Sequence, residues 1–258
     1  MNVIEQDLDN LGILTVRFNR VEKLNALNEE VLHALDEILS AAKENSKVKA
    51  LLITGTGKAF CAGADISRLA ECDAEMGYQF AREGQAVFRK LETLGKPSLA
   101  AVNGFAFGGG CELAIAATLR VAATTALFGQ PEVKLGVIPG YGGTQRLARL
   151  IGKGRTLDLC LTGRFINAQL AYEWGLVSAV VAPVALIAES KQILIGILAM
   201  APLAIASVME VIDHGYNLSL TDALHLEAIH FAKVCATKDK KEGVAAFLAK
   251  RSAEFKGE

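Results

Sequence analysis

The sequence predicts an α/β fold followed by an all-helical carboxyl-terminal region. The first observation is an alternation near the amino terminus, where two strand-like runs precede a helical segment and an uncharged strand-like run. The second is the stretch from Ser98 to Glu132, in which apolar runs enclose a glycine-rich turn and a helical segment. The third is that every periodic segment after Pro202 has helical spacing.

Turn and cap residues predict the amino-terminal elements. The strand-like runs VIEQDL and ILTVRFN flank the turn Asp9 to Gly12, which suits a hairpin. Asn28 is the expected cap of the following helix. The apolar face of that helix is formed by Val31, Leu32, Leu35, Ile38 and Leu39. The run ALLITGTG then predicts a buried strand that ends in a glycine turn.

Later elements follow from the same signals. A helix is expected from Thr144, with Arg146 and Arg149 on its polar side. The run AYEWGLVSAVV predicts a helix that ends at Gly175 and leads into a last strand. The uncharged stretch from Gln192 to Met209 contains Pro202, so a helix boundary is expected there rather than a membrane span.

Composition excludes several classes of function. The chain has 258 residues, 52% of them hydrophobic, enough for a sizeable core in one large or two small domains. Its net charge of −1 argues against nucleic acid as the main partner. The acidic amino terminus lacks the features of a secretory signal, and the five scattered cysteines lack C-x-x-C spacing. We therefore expect a cytoplasmic protein with no membrane partner, no disulfide framework and no metal site.

Two familiar catalytic patterns fail on inspection. The turn from Gly55 to Lys58 is not a P-loop, because position 52 is Leu and Lys58 is followed by Ala. No G-x-G-x-x-G opens a helix, which argues against nucleotide-dependent chemistry. A hydrolase triad is also disfavoured, since G-x-S-x-G is absent and three of the four histidines lie in the late helical region.

Two carboxylates flank the glycine-rich turn. The run from Ser98 to Val102 predicts a buried strand, and the glycines at 108 to 110 then place bare backbone N–H groups at a helix start. Glu112 lies in the first turn of that helix, and Glu132 follows Pro131, a favourable first residue for another short helix. Such a pair beside backbone donors suits proton transfer to and from an enolate. The alternative is that both glutamates merely match helix dipoles.

Three motifs resemble the enoyl-CoA hydratase/isomerase family, also called crotonases, in order and spacing. They are FCAGADI from Phe60, NGFAFGGGCELA from Asn103 and FGQPEVKLGVIPGYGGTQRL from Phe128. The likeness extends from FNRVEKLNALN at Phe18 to AFLAKRSAEF near the carboxyl terminus. It implies a crotonase-like spiral core of repeated ββα units over residues 1–197 and a helical oligomerisation region over residues 198–258. It also implies a homotrimer or a dimer of trimers.

The resemblance implies an enoyl-CoA hydratase in fatty-acid β-oxidation or related acyl-CoA metabolism. The thioester oxygen is expected between the backbone N–H groups of Ala64 and Gly109, the oxyanion hole. Glu112 is expected to act as base on a water that attacks C3, and Glu132 to protonate C2. The product is a 3-hydroxyacyl-CoA. No metal or redox cofactor is expected, because coenzyme A is part of the acyl-CoA thioester substrate.

The resemblance also implies a set of substrate-binding residues, namely Lys58, Ala62, Asp65, Ile66, Arg68, Tyr141, Phe247 and Lys250. Phe247 and Lys250 lie three apart, so we expect one helix face to offer an aromatic plane to adenine and a cation to phosphate. Alternatives stay open: Tyr141 can serve loop packing, Asp65 or Ser67 can cap a helix, and the last helix can be simply amphipathic.

The sequence departs from the family pattern at several positions. Val21 stands where the family usually has Pro, and Ser67 stands where mammalian-type hydratases carry a Lys that contacts CoA. Ala249 and Ala253 replace the usual Glu and Pro. Two other functions therefore stay open: a Δ3,Δ2-enoyl-CoA isomerase, which uses a single glutamate, and a non-catalytic or RNA-binding crotonase-like protein.

Overall fold

The fold is given by a computed structural model that describes residues 2–67 and 69–258. Its strands are β1 (Ile4–Leu8), β2 (Ile13–Phe18), β3 (Ala50–Gly55), β4 (Ala59–Cys61), β5 (Ser98–Val102), β6 (Phe105–Phe107), β7 (Leu119–Ala123), β8 (Leu127–Gly129), β9 (Phe165–Asn167) and β10 (Ala179–Val181). Its helices are α1 (Glu29–Glu44), α2 (Ala74–Glu92), α3 (Gly109–Ala116), α4 (Gly143–Ile151), α5 (Lys153–Thr162), α6 (Ala168–Glu173), α7 (Leu186–Leu198), α8 (Pro202–Gly215), α9 (Leu220–Cys235) and α10 (Lys238–Leu248).

The strands form two sheets. The larger has the order β1-β2-β3-β5-β7-β10, and all its pairs are parallel except β1 with β2. The smaller has the order β4-β6-β8-β9, with only β8 and β9 antiparallel. Three successive strands of the large sheet are each followed by a short strand of the small sheet, and a helix comes next. These are the expected ββα units, and the α/β prediction is confirmed.

Both faces of the large sheet are buried. All six residues of β3 are buried, and they alternate between two hydrophobic cores. Leu51 and Ile53 join the main core, whereas Leu52 joins a second core with Leu186 and Leu194 of α7. Parallel strands covered on both faces have continuous apolar sequences. This explains why the ALLITG run carries no charge.

The predicted amino-terminal elements are confirmed. The hairpin joins β1 and β2, and Gly12 adopts a φ of +86° in its turn. Asn28 caps α1 by accepting a hydrogen bond from the backbone N–H of Val31 at 3.0 Å. The five residues predicted for the apolar face of α1 are all buried.

The predicted helix cap at Asp65 or Ser67 stays a prediction, because residue 68, just before the 3-10 turn Leu69–Glu71, lies outside the described residues. The cap of α2 is Asp73, which accepts a hydrogen bond from the N–H of Met76 at 2.8 Å. Leu27 forms a bridge with Ala64, and the N–H of Asp65 donates to Leu27 O at 2.7 Å, so the chain is still extended there. The Asp65 carboxylate accepts hydrogen bonds from the hydroxyl of Ser67 at 2.8 Å and from its backbone N–H at 3.3 Å.

The carboxyl-terminal region is helical, as predicted, with Pro202 as the first residue of α8 and Ser219 as the cap of α9. The shared helix face of Phe247 and Lys250 is wrong, because α10 ends at Leu248 and Lys250 adopts a φ of +52°. In the described part of the chain no single helix is long and apolar enough to span a membrane. A segment of that length and composition exists only as two helices, 183–198 and 202–215, bent by 104°. The division at residues 197 and 198 stays a prediction.

Candidate active site

A cavity of about 570 Å³ opens between α2, the start of α3 and the loop that follows β8. Ala64, Gly109, Glu112 and Glu132 all line it. These are the four residues that the sequence predicts to be catalytic. Segments more than 60 residues apart in the chain therefore bring two carboxylates and two small residues to one place. Their chemical roles stay predictions, but the arrangement that those roles need is present.

The backbone N–H groups of Ala64 and Gly109 are available to a ligand. In the bridge with Leu27, the hydrogen bonds are made by the residues on either side of Ala64. Gly109 is the first residue of α3, where an N–H has no acceptor within the helix. Neither N–H donates to another described residue. A Cβ placed on Gly109 would lie 3.3 Å from the nitrogen of Ala64, so the two turns are in contact.

The two glycines beside Gly109 are required by close approaches. Gly108 has a φ of +50°, and a Cβ there would lie 2.6 Å from Glu132 Oε1. A Cβ on Gly110 would lie 1.8 Å from the carbonyl oxygen of Cys61. The start of α3 is thus pressed between the end of β4 and the Glu132 carboxylate, and only glycine fits at these positions.

Glu112 is buried and held by two backbone donors. Its Oε1 accepts hydrogen bonds from the N–H of Tyr141 at 2.9 Å and the N–H of Gly143 at 2.6 Å. Burial, followed by the negative charge of Glu132, raises the pKa of Glu112 to about 8. The two N–H donors and the Arg146 guanidinium oppose this rise, because they stabilise the ionised carboxylate.

Glu132 begins the short 3-10 turn Glu132–Leu135, with Pro131 as its cap. Burial raises the pKa of Glu132 to about 7. With its amide nitrogen directed at Glu132, the buried Gln130 side chain donates to both carboxylate oxygens, at 3.0 and 3.1 Å. Glu132 therefore has a side-chain donor, whereas Glu112 has backbone donors.

The pKa values of both carboxyl groups are raised toward neutral pH. Because each pKa lies well above that of an exposed glutamate, the pair retains a proton in a range where ordinary carboxyl groups are ionised. One ionised and one protonated carboxyl group is the combination that general acid–base catalysis needs.

The inner end of the cavity is closed by aromatic side chains. Tyr141 is buried, with its ring centroid 5.1 Å from that of Phe80 and 5.6 Å from that of Phe88. A Cβ on Gly84 would lie 2.2 Å from the Tyr141 ring, so α2 and the ring are in direct contact. Tyr141 thus both lines the cavity and packs the loop, so the two alternatives for it hold together.

The mouth of the cavity is apolar and exposed. Ala62 and Ile66 line it, as predicted, together with Leu135 and Ile138. Ile66, Leu135 and Ile138 expose more than half of their surface. Exposed apolar residues that surround a cavity are typical of a ligand-binding site.

Other predicted substrate-binding residues do not line the cavity. The Asp65 carboxylate lies 3.6 Å from Arg20 and also binds Ser67, Lys58 is exposed in the turn after β3, and Phe247 is 82% exposed. Lys250 lies beyond the end of α10, and Arg68 lies outside the described residues. Among the described histidines, cysteines and carboxylates, no group of three or more could hold a metal ion.

Sequence reasoning missed three features of the site. Gln130, two residues before Glu132, is buried and directed at it; its place in the motif was the available signal. Gly77, Phe80 and Ala81 line the cavity from α2, and their helical spacing identifies a face but not what that face contacts. Arg146 was placed on a polar helix side, yet its side chain is mostly buried against Glu92.

Comparison with known proteins agrees with the resemblance. The enoyl-CoA hydratase/isomerase family model matches residues 9–258. A crotonyl-CoA hydratase from Syntrophomonas wolfei is 44% identical, with 98% of this chain and 97% of the relative covered. A short-chain-enoyl-CoA hydratase from Clostridium acetobutylicum is 42% identical, with the same coverage.

Solved structures agree as well. The crystal structure of an enoyl-CoA hydratase from Bacillus anthracis superimposes with a TM-score of 0.95 at 38% identity, covering 99% of this chain and 100% of the other. Motifs, fold, site and relatives thus coincide over nearly the whole sequence: the chain belongs to the enoyl-CoA hydratase/isomerase family.

Proposed function

We propose that the chain catalyses the reversible addition of water to trans-2-enoyl-CoA thioesters, giving 3-hydroxyacyl-CoA. The observation that carries this proposal is the meeting of two raised-pKa carboxylates and two unused backbone N–H groups in one cavity. The names of the relatives described above support a hydratase that acts on short acyl chains. Fatty-acid β-oxidation or related acyl-CoA metabolism is the proposed setting.

The mechanism follows from the positions of the donors and carboxylates. The thioester oxygen accepts hydrogen bonds from the N–H groups of Ala64 and Gly109, which withdraws electron density from C3. Ionised Glu112 takes a proton from the water that attacks C3. Negative charge then develops on the thioester oxygen, where the two N–H groups stabilise it.

Protonated Glu132 completes the addition by giving its proton to C2. At the end of hydration Glu112 is protonated and Glu132 is ionised. Dehydration starts from that state, and the two residues exchange roles. The reaction needs no metal or redox cofactor in this proposal, because backbone dipoles activate the carbonyl, and coenzyme A enters as part of the substrate.

The proposed short-chain preference is supported by the inner end of the cavity. Buried Tyr141 and Phe80 lie in contact there, and Tyr141 also rests on α2 at Gly84. A long acyl chain would have to displace these packed rings, whereas a crotonyl group needs only the space beside the carboxylates.

Self-association is the proposed quaternary arrangement, as a homotrimer or a dimer of trimers. Large apolar side chains of α8 to α10 are more than half exposed in the single chain, among them Val208, Ile212, Leu220, Leu224, Ile229, Phe231, Val244, Phe247 and Leu248. Copies of the chain are the partners proposed for this surface. The cytoplasm is the proposed location, supported by five cysteines that form no disulfide.

The test of the proposed function is an assay with crotonyl-CoA. Hydration removes the absorbance of the conjugated enoyl thioester and produces 3-hydroxybutyryl-CoA. Glu112→Gln and Glu132→Gln are each expected to lower turnover by ~10²-fold or more, because each removes a general acid or base. Glu173→Gln, at an exposed position of α6, is the matched control and should retain full activity.

The same assay separates the alternatives. An isomerase would leave crotonyl-CoA unchanged and would convert a 3-enoyl-CoA into its conjugated isomer. A non-catalytic relative would change neither substrate. Full hydratase activity in a folded Glu112→Gln variant would contradict the assignment of the base.

A further inference from the structure

The loop that holds Glu112 is itself anchored by two side chains, those of Gln85 and Arg146. This loop, residues 140–143, supplies both N–H donors to Glu112 Oε1. Gln85 on α2 donates to the carbonyl of Gly140 at 2.8 Å, and Arg146 on α4 donates to the carbonyl of Tyr141 at 2.6 Å. The peptide that follows Tyr141 is therefore held through its carbonyl oxygen, and the same loop points its N–H groups at the carboxylate.

Arg146 reaches this carbonyl because of two local features. A Cβ on Gly142 would lie 2.1 Å from its Nη1, so the guanidinium crosses the backbone where there is no side chain. The other edge of the guanidinium forms a bidentate ion pair with Glu92, at 2.6 and 2.9 Å. The two side chains are only 16% and 22% exposed. One planar group is thus fixed by a carboxylate and a carbonyl together, a geometry that arginine has and lysine lacks.

We infer that Arg146, fixed by Glu92, is a positioning residue for the hydration: by holding the Tyr141 carbonyl, it keeps the N–H groups of Tyr141 and Gly143 aimed at Glu112. This inference rests on the proposed function, since it concerns the same base. Arg146 does not line the cavity, and its contact with the base is made through the loop. A loop shift of about 1 Å is enough to lower a rate by roughly 10²-fold.

The guanidinium has a second, electrostatic effect on Glu112. The charged groups that act on this carboxyl are Glu132 of the 3-10 turn and Arg146 of α4. Two titratable groups face its charge, Cys111 of its own helix and Cys160 of α5. Both thiols are kept neutral by raised pKa values. Arg146 is the cation in this set, so its loss raises the pKa of Glu112. As the pH is lowered, Glu112 then takes up its proton, and the rate falls, at a higher pH than in the wild type.

A purely structural role is the competing explanation, because the ion pair also ties α4 to α2. Arg89 extends this ion pair to α8, because it lies 3.5 Å from Glu92 and pairs with Asp213 at 2.6 Å. A structural tie predicts lower stability with an unchanged rate per folded molecule. A positioning role predicts a lower kcat, an unchanged KM and a shifted pH profile.

The experiment compares Arg146→Met, Arg146→Lys and Glu92→Gln with the control Arg149→Met. Arg149 lies one helical turn further along α4, and its guanidinium binds Gln145 and Asn217 rather than the loop. With crotonyl-CoA, we expect Arg146→Met to lower kcat about 10- to 100-fold, with KM changed by less than about threefold. The acid limb of its pH–rate profile should move to higher pH. Arg149→Met should match the wild type.

The two conservative variants separate charge from geometry. Arg146→Lys keeps the charge but cannot bind Glu92 and the Tyr141 carbonyl as a planar fork, so its kcat should fall while its acid limb stays near that of the wild type. Glu92→Gln keeps the cation but releases it, and should lower kcat as well. These variants decide the question even if Arg146→Met does not fold.

Amide hydrogen exchange provides a readout that does not need activity. Peptides covering residues 139–145 should exchange faster in Arg146→Met and in Glu92→Gln than in Arg149→Met. Wild-type kcat together with unchanged exchange in folded Arg146→Lys and Glu92→Gln overturns the inference. A wild-type chain that leaves crotonyl-CoA unchanged overturns the proposed function instead, and the exchange data then still decide whether Arg146 holds the loop.

Discussion

The surroundings of Glu112 disfavour the ionised form of its carboxyl group. It is buried, and a second carboxylate faces the same cavity, so its pKa rises from an ordinary value of 4.5 to about 8. A folded-state pKa above the unfolded one means that the folded protein binds the proton more tightly. The associated stability is present at pH values below about 4.5 and is lost as pH rises through about 8.

This linkage predicts that removing the Glu112 carboxyl group stabilises the protein at alkaline pH. Glu112→Gln retains an oxygen that can accept the N–H groups of Tyr141 and Gly143, but it never ionises. Relative to the wild type, we expect its free energy of unfolding to be larger by about 2 to 4 kcal/mol at about pH 9, and nearly the same at about pH 5. Chemical denaturation at the two pH values measures this difference.

Glu173→Gln is the control for this stability measurement, because Glu173 is exposed on α6. It should change the free energy of unfolding little at either pH. An equal loss of stability for Glu112→Gln at both pH values would show that the buried carboxylate is stabilised by its surroundings rather than strained by them.

At the scale of single residues, the sequence pointed to the two carboxylates of the candidate site but not to the side chains that position them. Glu112 and Glu132 could be found because they stand beside glycines and a proline whose backbone roles are local. Gln130 and Arg146 could not, because their partners come from folding: Arg146 meets a glutamate 54 positions earlier. Nothing in a helix-periodic sequence says which distant carboxylate an arginine will face.

At the scale of elements, α3 is the piece on which the site depends. Its first residue, Gly109, offers an N–H that no helical carbonyl can accept, and its first turn carries Glu112. Local signals predicted this helix and its starting region correctly. They failed at Lys250, where α10 ends two residues earlier. This failure concerns the end of an element, which local periodicity alone does not decide.

The position of Gly109 allows a direct test of the oxyanion hole. Proline is well tolerated at the first residue of a helix, so Gly109→Pro removes the N–H while it keeps the helical backbone. We expect kcat for crotonyl-CoA to fall about 10²- to 10³-fold, the cost of one lost oxyanion donor. Gly109→Ala keeps the N–H and is the control, although its Cβ lies 3.3 Å from Ala64 N.

Circular dichroism shows whether each glycine variant is folded. A folded Gly109→Pro protein with the activity of Gly109→Ala would mean that the thioester oxygen binds elsewhere. If both variants lost the same large factor, crowding against Ala64 rather than the lost N–H would explain the result.

At the scale of the whole molecule, the sequence predicted the types of element but not how they are arranged. Strand-like and helical runs indicated an α/β core and a helical end, whereas the ββα units were implied by the family resemblance. Two features could not be derived, the strand order β1-β2-β3-β5-β7-β10 and the second core beneath α7. An apolar run does not indicate which strand or helix it packs against. The predicted binding of coenzyme A by the carboxyl-terminal tail stays a prediction, since neither Phe247 nor Lys250 lines the cavity.

The exposed ring of Phe247 is the part of the carboxyl-terminal tail that the sequence predicts to contact adenine. It is 82% exposed and does not line the cavity, so the predicted contact with the nucleotide lies outside the cavity. We expect Phe247→Ala to raise KM for crotonyl-CoA about tenfold or more, the cost of losing a stacking partner for adenine. A crotonyl thioester of N-acetylcysteamine lacks the nucleotide, and its KM should not change. Leu248→Ala, at a neighbouring residue that is also exposed, is the control, and size-exclusion chromatography with light scattering checks that each variant assembles as the wild type does. Equal effects on the two substrates, or none on either, would mean that Phe247 serves assembly alone and that the nucleotide is held by other groups, of which exposed Lys58 is the first to test.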